Sequence, residues 1–409
     1  MRILIHGINY SPELIGIGRY TGQLGAWLAN RGHRVTVLTA PPYYPQWHVA
    51  SSYRGRGWWR EWLNGVEVLR VPIYTPAKVT GKKRLIHELS FGASCLFWWP
   101  HIFQRRWDVV LAICPLLQSG ILPAWLAHCK EIPFVFHFQD LQFDIARDLG
   151  IIKNSLLLNL IKHLEHYLLN RAEAVTTISQ AMSAKLKNKG VPANRLYLFP
   201  NWAELEQIRP GNPFNTVRRE LGVENAITIL YSGNIAEKQG IEIILEAAKI
   251  TKLNNRIRFI IAGEGAAKLR LLSLAKKQNL DNLIFKPIQS ENRFPLLLAA
   301  GDIHLVVQKA KAADLVMPSK LVNILAAGRP FIATAQPQTE LGKVTQESQA
   351  GLLVPPENGY ALAQAILRLS ENDQLRKQMG DRARQYAESH FNRDIILRQF
   401  ESLLYQLVH

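Results

Sequence analysis

Residues 229–248, ILYSGNIAEKQGIEIILEAA, decide the fold, and two later stretches have the same design. Residues 259–270 are FIIAGEGAAKLR, and residues 317–333 are MPSKLVNILAAGRPFIA. Each combines an apolar run, a turn of small residues and a helical pattern with a cation or polar group at its start. Such a unit suits phosphates, because glycine lets backbone N–H groups approach a ligand and a helix N-terminus attracts negative charge. The three turns predict one nucleotide-type ligand held at several points.

Strand and helix patterns alternate through both halves of the chain. In the first half the predicted strands are 3–6, 35–39, 66–71, 109–113, 134–137 and 174–178, with helices at 18–31 and 154–171. In the second half the predicted strands are 227–231, 259–262, 283–285, 303–307, 331–334 and 352–354. This alternation predicts parallel sheets covered by helices. The segment 201–213, rich in proline and glycine, interrupts it and predicts a linker between domains 1–200 and 214–389.

Three sequence blocks carry a resemblance to a known family. Gly233, Asn234, Lys238, Gln239 and Gly240 stand where that family has a G-R-x(3)-K-G block. A G-x-G turn follows at 263–265, and an E-x(7)-E block is altered, with Leu315 and Asn323 at its two glutamate positions. The chain resembles the retaining glycosyltransferases of family 4, of the colanic-acid and exopolysaccharide type, over nearly its whole length.

This resemblance implies an α/β architecture of the GT-B type, with two Rossmann-like domains facing a central cleft. It also implies that a C-terminal helix, about 390–409, packs back on the first domain. The expected reaction transfers a hexose from a UDP-hexose, such as UDP-glucose, to a lipid-linked or saccharide acceptor in envelope assembly. No cofactor and no metal are expected, and the sequence contains neither a D-x-D motif nor a cluster with metal-ligand spacing.

The resemblance also assigns a donor site in the second half. Lys238 is expected to neutralise the leaving diphosphate, where preorganised charge contributes most to catalysis, and Lys320 compensates for an arginine that Asn234 replaces. Asn323 stands at the ribose-binding position, and Asp314 lies one residue from the first glutamate position. The full set of predicted donor-binding residues is Gly16, Gly18, Gly233, Asn234, Lys238, Gln239, Gly263, Glu264, Gly265, Ile288, Ser319, Lys320, Leu321 and Asn323.

Polar residues end the predicted strand 134–137 in the first half. Because the carboxyl ends of parallel strands form the binding crevice of such folds, His137 and Asp140 are candidate catalytic residues there. Two registers remain open: His137 stands at the family's histidine position, or Gln139 does, with Asp140 as the aspartate. The glycine-rich turn Gly16–Gly22 looks like a dinucleotide fingerprint, but no acidic residue ends the second strand, which argues against a nicotinamide enzyme.

Composition adds a prediction about location. The 409 residues carry a formal charge of +17, and residues 1–199 hold 23 basic against 11 acidic residues, a difference of +12. Lys82–Arg84 and Arg105–Arg106 flank an apolar pattern of Leu85, Leu89, Leu96, Trp99 and Phe103 that is expected near one helical face. These features predict peripheral contact with an anionic membrane, on the cytoplasmic face of the inner membrane, and no nucleic-acid partner.

Two other functions fit part of the pattern. One is a nucleotide-sugar epimerase of the same fold, which would turn over the donor without an acceptor sugar. The other is a non-catalytic sugar-nucleotide binder, suggested by the loss of both glutamates of the E-x(7)-E block. The start of the chain, MRILIHGINYSPE, predicts a buried first strand rather than a signal peptide, and the three cysteines predict a reducing compartment.

Overall fold

The computed structural model describes residues 1–13, 16–78, 80–115, 117–141, 144, 155–290, 292–310 and 318–409. The side chains of Lys82, Ser155, Leu157 and Lys238 lie outside this description. The chain divides into two compact units. The first contains Met1–Pro200 together with Ile395–His409, and the second contains Asn201–Asp394.

The first unit is built on one sheet. Its strands β1 to β8 are Arg2–His6, Arg34–Thr39, Trp59–Leu63, Val66–Arg70, Val109–Cys114, Phe134–Phe138, Ala174–Thr177 and Leu196–Leu198. Its helices α1 to α6 are Gly16–Asn30, Gly81–Cys95, Trp99–Gln104, Ile121–Lys130, Ser155–Arg171 and Gln180–Asn188. In the described residues the strand order is β3-β4-β2-β1-β5-β6-β7-β8, and β3 runs antiparallel to β4 while the other pairs are parallel.

The central strands of this sheet are apolar because helices cover both of their faces. Every residue of β5 and of β6 is buried, which fits the continuous apolar runs of a parallel sheet. The strand order reverses between β1 and β5, so loops that leave these two strands diverge. Ligands of open α/β sheets bind at such a switch point, outside the carboxyl ends of the strands.

The second unit repeats the design with a smaller sheet. Its strands β9 to β14 are Ile227–Ser232, Ile257–Ala262, Leu283–Lys286, Ile303–Val306, Phe331–Thr334 and Gly351–Val354. Helices α7 to α14 are Thr216–Leu221, Glu242–Ile250, Lys268–Lys277, Phe294–Ala300, Ser319–Ala326, Glu340–Ser348, Gly359–Ser370 and Asp373–His390. The described strands are parallel, in the order β11-β10-β9-β12-β13-β14, and the switch point lies between β9 and β12.

The segment predicted as a linker packs into the second unit. Ala203 and Ile208 are buried there, and the Ala203 N–H donates to the Phe391 carbonyl at 2.9 Å. Arg384 Nη1 donates to the Ile208 carbonyl at 2.8 Å. Hydrogen bonds and apolar burial therefore fix this proline-rich stretch in place.

The last helix, α15 (Arg393–Val408), contributes to the first unit. Glu401 on this helix is buried and accepts from His33 Nε2 at 2.8 Å and from Arg31 Nη2 at 3.2 Å. Phe400 stacks on Phe199, with ring centroids 4.0 Å apart. An ion pair and aromatic stacking thus hold α15 against the first unit, whose other residues are 1–200.

The apolar pattern between Leu85 and Phe103 does not form one helical face, and that prediction is wrong. The chain turns at 96–98, and α3 begins at Trp99 with Pro100 in its first turn. Leu85, Leu89 and Leu96 are exposed by 48%, 56% and 57%, whereas Trp99 is buried in the core of the first unit. The break separates the exposed apolar side chains of α2 and the turn after it from α3, which buries Trp99 and Ile102.

Candidate active site

Two glycine turns meet at the carboxyl edge of the second sheet. Gly233 follows β9, and Gly263 and Gly265 follow β10. A Cβ on Gly263 would lie 1.9 Å from the Gly233 carbonyl oxygen, and one on Gly265 would lie 2.3 Å from the Ile235 carbonyl oxygen. The Ile235 N–H donates to the Glu264 carbonyl at 2.8 Å. Glycine at 263 and 265 is therefore required for the contact between the two turns.

Lys320 presents a buried cation to this edge. It lies in the first turn of α11, and its Nζ is 3.7 Å from the centroid of the Tyr231 ring. The stem of the side chain is partly exposed, but Nζ is buried and has no hydrogen-bond partner among the described residues. A Cβ on Gly233 would lie 3.1 Å from this nitrogen and would press against it, and the φ of +139° at Gly233 also favours glycine there. Burial lowers the pKa of Lys320 to about 7.

An unpaired buried ammonium is costly, because desolvation disfavours the charged form and no anion offsets it. Such a group is a candidate for binding an anionic ligand that restores its charge. The cation–π contact with Tyr231 stabilises it only in part. The site is thus prepared for a negatively charged group beside the Gly233 turn.

The loop after β12 supplies two further polar groups. The Gln308 N–H donates to Thr334 Oγ1 at 2.9 Å, and Thr334 Oγ1 donates to the Gln308 carbonyl at 3.0 Å. Gln308 Nε2 is buried without a partner among the described residues. Lys309 follows, and a Cβ on Gly240 would lie 2.9 Å from its Cγ. Sequence reasoning missed both residues, although their position directly after a strand at the switch point could have indicated them.

In the first unit, Gly16 and Gly18 begin α1 beside a buried carboxylate. Gly16 has φ of +67°, and a Cβ on Gly18 would lie 2.2 Å from Glu13 Oε2. Glu13 Oε1 accepts from the backbone N–H groups of Tyr43 and Tyr44 at 3.2 and 3.1 Å. Burial raises the pKa of Glu13 to about 7. Glu13, which sequence reasoning missed, ties the loop after β1 to the loop after β2 and packs against the start of α1.

His137 lies inside the first sheet and is hydrogen-bonded through both ring nitrogens. Gln139 Nε2 donates to His137 Nε2 at 2.9 Å, so Nδ1 carries the ring proton and donates to Thr176 Oγ1 at 2.9 Å. Burial lowers the pKa of His137 to about 3, which keeps the ring neutral. Gln139 and the partly exposed Asp140 follow β6 directly. The strand end therefore presents Asp140, with Gln139 held by the buried histidine.

Comparison with known proteins decides the family. A sequence model described as "Glycosyl transferase 4-like domain" matches residues 16–202, and one described as "Glycosyl transferases group 1" matches residues 214–386. WcaI of Escherichia coli K12, named as a colanic acid biosynthesis glycosyl transferase, is 40% identical over 412 residues, which cover 98% of both chains. The chain belongs to the family 4 glycosyltransferases.

Solved structures of other proteins share the fold of this glycosyltransferase. Sucrose-phosphate synthase from Thermosynechococcus elongatus has a TM-score of 0.76 at 18% identity, covering 100% of this chain and 99% of that chain. Anabaena HepE, solved with UDP-glucose, has a TM-score of 0.71 at 16% identity, covering 99% and 100%. The predictions of family, of enzyme class and of a GT-B fold with two Rossmann-like domains are confirmed.

The remaining predicted donor residues of the glycosyltransferase lie on the same unit with varied exposure. Asn234 is exposed, and Glu264 Oε1 accepts from Lys268 Nζ at 2.6 Å. Gln239 ends a short turn, Glu237–Gln239, that precedes α8. Ile288 is half exposed in the loop after β11. The backbone of Lys238 lies in the Glu237–Gln239 turn, but its side chain is outside the described residues, as are Asp314 and Leu315 entirely.

The α11 helix carries the last three predicted residues. Ser319 is its first residue, and Pro318 holds the cap position without a side-chain hydrogen bond. Leu321 is buried, and its N–H donates to the Pro318 carbonyl at 3.0 Å. Asn323 is partly exposed one turn further along. In the described parts of the chain, no cluster of metal-ligating side chains and no helix able to span a membrane is found.

Proposed function

We propose that this glycosyltransferase moves a hexose from a UDP-hexose to a lipid-linked saccharide acceptor during exopolysaccharide assembly. The observation that carries the donor part is the buried Lys320 ammonium beside the Gly233 turn, which has no hydrogen-bond partner in the part of the chain that the structure describes. HepE was solved with UDP and glucose, and WcaI is named for colanic acid biosynthesis, which supports the two substrate classes. The transfer retains the configuration of the anomeric carbon and uses no metal ion.

The donor diphosphate binds against Lys320, the Gly233 turn and the first turn of α11. During transfer, the bond between the anomeric carbon and the diphosphate oxygen breaks, and the electron pair leaves with UDP. The acceptor hydroxyl oxygen forms the new glycosidic bond, and its proton passes to the departing diphosphate. Negative charge grows on the diphosphate in this step, and a fixed cation in a dry site stabilises it strongly. The charge of Lys320 is restored as the anion arrives, since an opposite charge raises the pKa of an ammonium.

Lys238 and Asp140 keep their predicted catalytic roles in this proposal. Lys238 lies in the turn that leads into α8, where a cation adds to the neutralisation of the diphosphate. Asp140 comes two residues after β6, at the carboxyl edge of the first sheet, and binds the acceptor there. His137 acts as a positioning residue, because both of its ring nitrogens are bonded within the protein and one of them holds Gln139.

Ligand binding and turnover test the donor part together. UDP is expected to raise the melting temperature more than ADP or GDP, and Lys320→Ala is expected to abolish this rise. The matched control is Lys249→Ala, which removes an exposed lysine from the same unit. Donor turnover that requires a lipid-linked acceptor, persists in EDTA and gives a product of retained configuration supports the proposal. An altered donor sugar without acceptor would instead identify an epimerase, and tight UDP binding without any turnover would identify a binder.

We further propose that the first unit docks on an anionic membrane. The apolar face of α2 and the turn after it consists of Leu85, Ile86, Leu89, Leu96 and Phe97, which are exposed by 48–58%. Trp58 borders this face, since its Nε1 donates to the Ser94 carbonyl at 2.9 Å and its ring lies 5.0 Å from that of Phe97. An amphipathic surface with tryptophan at its border is typical of helices that lie in the membrane interface.

Charge supports this partner over an apolar protein. Residues 1–199 carry the net +12, and Lys83 on α2 is exposed beside the apolar face. Arg105 of the second predicted basic cluster pairs with Glu67, with Nη2 and Oε1 3.1 Å apart, so it contributes less. Each basic residue near an anionic surface adds about 1 kcal/mol of attraction.

Vesicle flotation tests the membrane proposal. The protein is expected to float with vesicles of phosphatidylglycerol and phosphatidylcholine at low salt, and to float less at high salt. Leu89→Glu is expected to abolish flotation, whereas Leu253→Glu, at a leucine of the second unit that is 96% exposed, leaves it unchanged. Protein that stays soluble at low salt, or equal loss in both variants, would contradict docking through this face.

A further inference from the structure

A pocket of about 530 Å³ lies in the first unit, at the carboxyl ends of β2 and β4. Pro41 and Pro72, which come two residues after these strands, contribute to its wall. The chemically distinctive lining comes from the segment between β2 and β3 and from the start of β3, namely His48, Tyr53, Arg54, Arg56 and Trp59. Aromatic rings and cations thus share one cavity at the edge of the sheet where ligands of this architecture bind.

Arg56 is the cation available to a ligand in this pocket. Its Cζ lies 5.8 Å from the centroid of the Tyr53 ring and 6.0 Å from that of Trp59. Arg56 is exposed and forms no ion pair or hydrogen bond among the described residues, and the carboxylate of Glu61 pairs with Arg70 instead. Arg54, by contrast, donates from Nε to the Val49 carbonyl at 3.2 Å and so holds the loop.

The glycines on either side of Arg56 are needed for their backbone conformation and not to avoid a steric clash. Gly55 and Gly57 have φ of +72° and +58°, and a Cβ at either position would meet no atom within 4 Å. A side chain at either position would have room, but the positive φ is a conformation that residues other than glycine adopt only with strain. This Gly-Arg-Gly turn sets the direction in which Arg56 leaves the chain.

The pocket lies beside α2, which carries the apolar face proposed to dock on the membrane: Tyr74, between the pocket-lining residues Ile73 and Thr75, donates its N–H to Ser90 Oγ of α2 at 3.0 Å. Trp58 and Trp59 are consecutive residues: Trp58 contacts Ser94 and Phe97 of the apolar face, and Trp59 lines the pocket. A ligand with a lipid tail on that face would therefore have its polar linkage beside Arg56. Guanidinium groups match phosphate oxygens in a fork geometry, and aromatic rings suit the adjoining sugar or prenyl carbons.

From this juxtaposition we propose that the pocket binds the phosphate groups that join lipid and sugar in a lipid-linked acceptor. The inference rests on the proposed function, of which it specifies the acceptor. The pocket belongs to the first unit, whereas the proposed donor diphosphate binds to the second unit beside Lys320. Arg56 accordingly determines acceptor binding and leaves donor binding unchanged.

The test is a calorimetric titration of the whole chain with geranyl diphosphate, a soluble short prenyl diphosphate, in saturating UDP. Geranyl diphosphate is expected to bind in the presence of UDP, and Arg56→Ala is expected to weaken it by about tenfold or more, as for a lost charge-assisted contact. Arg56→Lys, which keeps the charge but not the fork, should weaken it less. The matched control Arg34→Ala removes an exposed arginine that lines a different pocket, with the same change of net charge, and should leave affinity within about twofold.

Several outcomes would overturn the assignment. The pocket does not hold the diphosphate if geranyl diphosphate binds without UDP but not in saturating UDP, or if Lys320→Ala abolishes its binding. The same conclusion follows if Arg34→Ala weakens binding of geranyl diphosphate as much as Arg56→Ala does. Inorganic pyrophosphate that binds as tightly as geranyl diphosphate would assign the pocket to a free phosphate instead of a lipid-linked one. Failure of UDP alone to bind would refute the donor proposal, while the comparison of Arg56→Ala with Arg34→Ala would still judge the pocket.

Discussion

Replacing Lys320 by methionine should stabilise the protein while abolishing its binding of UDP. The substitution keeps a long apolar side chain and removes a buried ammonium that has no partner among the described residues. Burial lowers the pKa of Lys320 from 10.5 to about 7, which corresponds to a penalty of about 5 kcal/mol on the charged form. Losing the cation–π contact with Tyr231 costs about 1–2 kcal/mol. The expected net gain is therefore about 3 kcal/mol at pH 7.

The gain should depend on pH in a defined direction. Because the folded pKa of Lys320 is below its unfolded value, the folded state is penalised wherever the unfolded lysine is protonated. The penalty is complete below pH 7, shrinks between about pH 7 and 10.5, and is absent above 10.5. The stability advantage of Lys320→Met should follow the same curve.

Two measurements on one pair of proteins check this reasoning. For a unit of this size, about 3 kcal/mol raises the melting temperature by roughly 6–12 °C. Calorimetry should show UDP affinity lower by more than about a hundredfold, since removing one partner of a buried charge pair costs roughly 3–5 kcal/mol. Lys249→Met, at an exposed lysine of α8, should change neither quantity. A Lys320→Met protein that is no more stable at pH 7, or that binds UDP normally, would refute the argument.

Three further predictions concern the loops and the ribose. Burial raises the pKa of Glu13 from 4.5 to about 7, so the folded state favours the protonated carboxyl and the free energy of unfolding should fall as pH rises from about 4.5 to 7. Urea unfolding of Glu13→Gln should show no such fall, and an unchanged dependence on pH would contradict the prediction. Gly263→Ala should destabilise by about 1–3 kcal/mol or more, because its Cβ would meet the Gly233 carbonyl oxygen, whereas Gly92→Ala, with open space around it, should be neutral or slightly stabilising. Asn323→Ala should weaken UDP binding by about 0.5–1.5 kcal/mol without changing the fold, and equal affinity would place the ribose elsewhere; Asn323→Glu should be tolerated.

The central strands were predictable because their signal is local. Val109–Cys114 and Phe331–Thr334 are short apolar runs between turn residues. Both faces of these strands are buried, so their side chains are nearly all apolar and the run is visible in the sequence. Strand β3, Trp59–Leu63, was missed because it is partly exposed and its sequence, WREWL, has two adjacent charged residues instead of a regular alternation of apolar and polar residues. Its antiparallel pairing with Val66–Arg70 depends on a tight turn at Asn64 and Gly65, which both have positive φ.

The candidate site was predictable in part for a similar reason. Turns such as Gly263–Gly265 are visible as motifs, but the reason for their glycines is not, because it depends on a second turn some thirty residues earlier in the chain. The burial of Lys320 against Tyr231, and of Glu13 against the loop after β2, arises only from tertiary packing. The sequence can indicate that a lysine lies in the first turn of a helix. It cannot indicate which groups surround the ammonium, because these come from other parts of the chain.

The contribution of α15 to the first unit has a consequence for the order of synthesis. His33 and Phe199 are made early, but their partners Glu401 and Phe400 are made only after residues 201–394. During translation the second unit therefore has all of its residues before the first unit does. A nascent first unit waits with an apolar surface uncovered, which is the condition under which chains recruit chaperones or aggregate. Ribosome pausing within the second half would lengthen that exposure, even though it alters no residue of the half at risk.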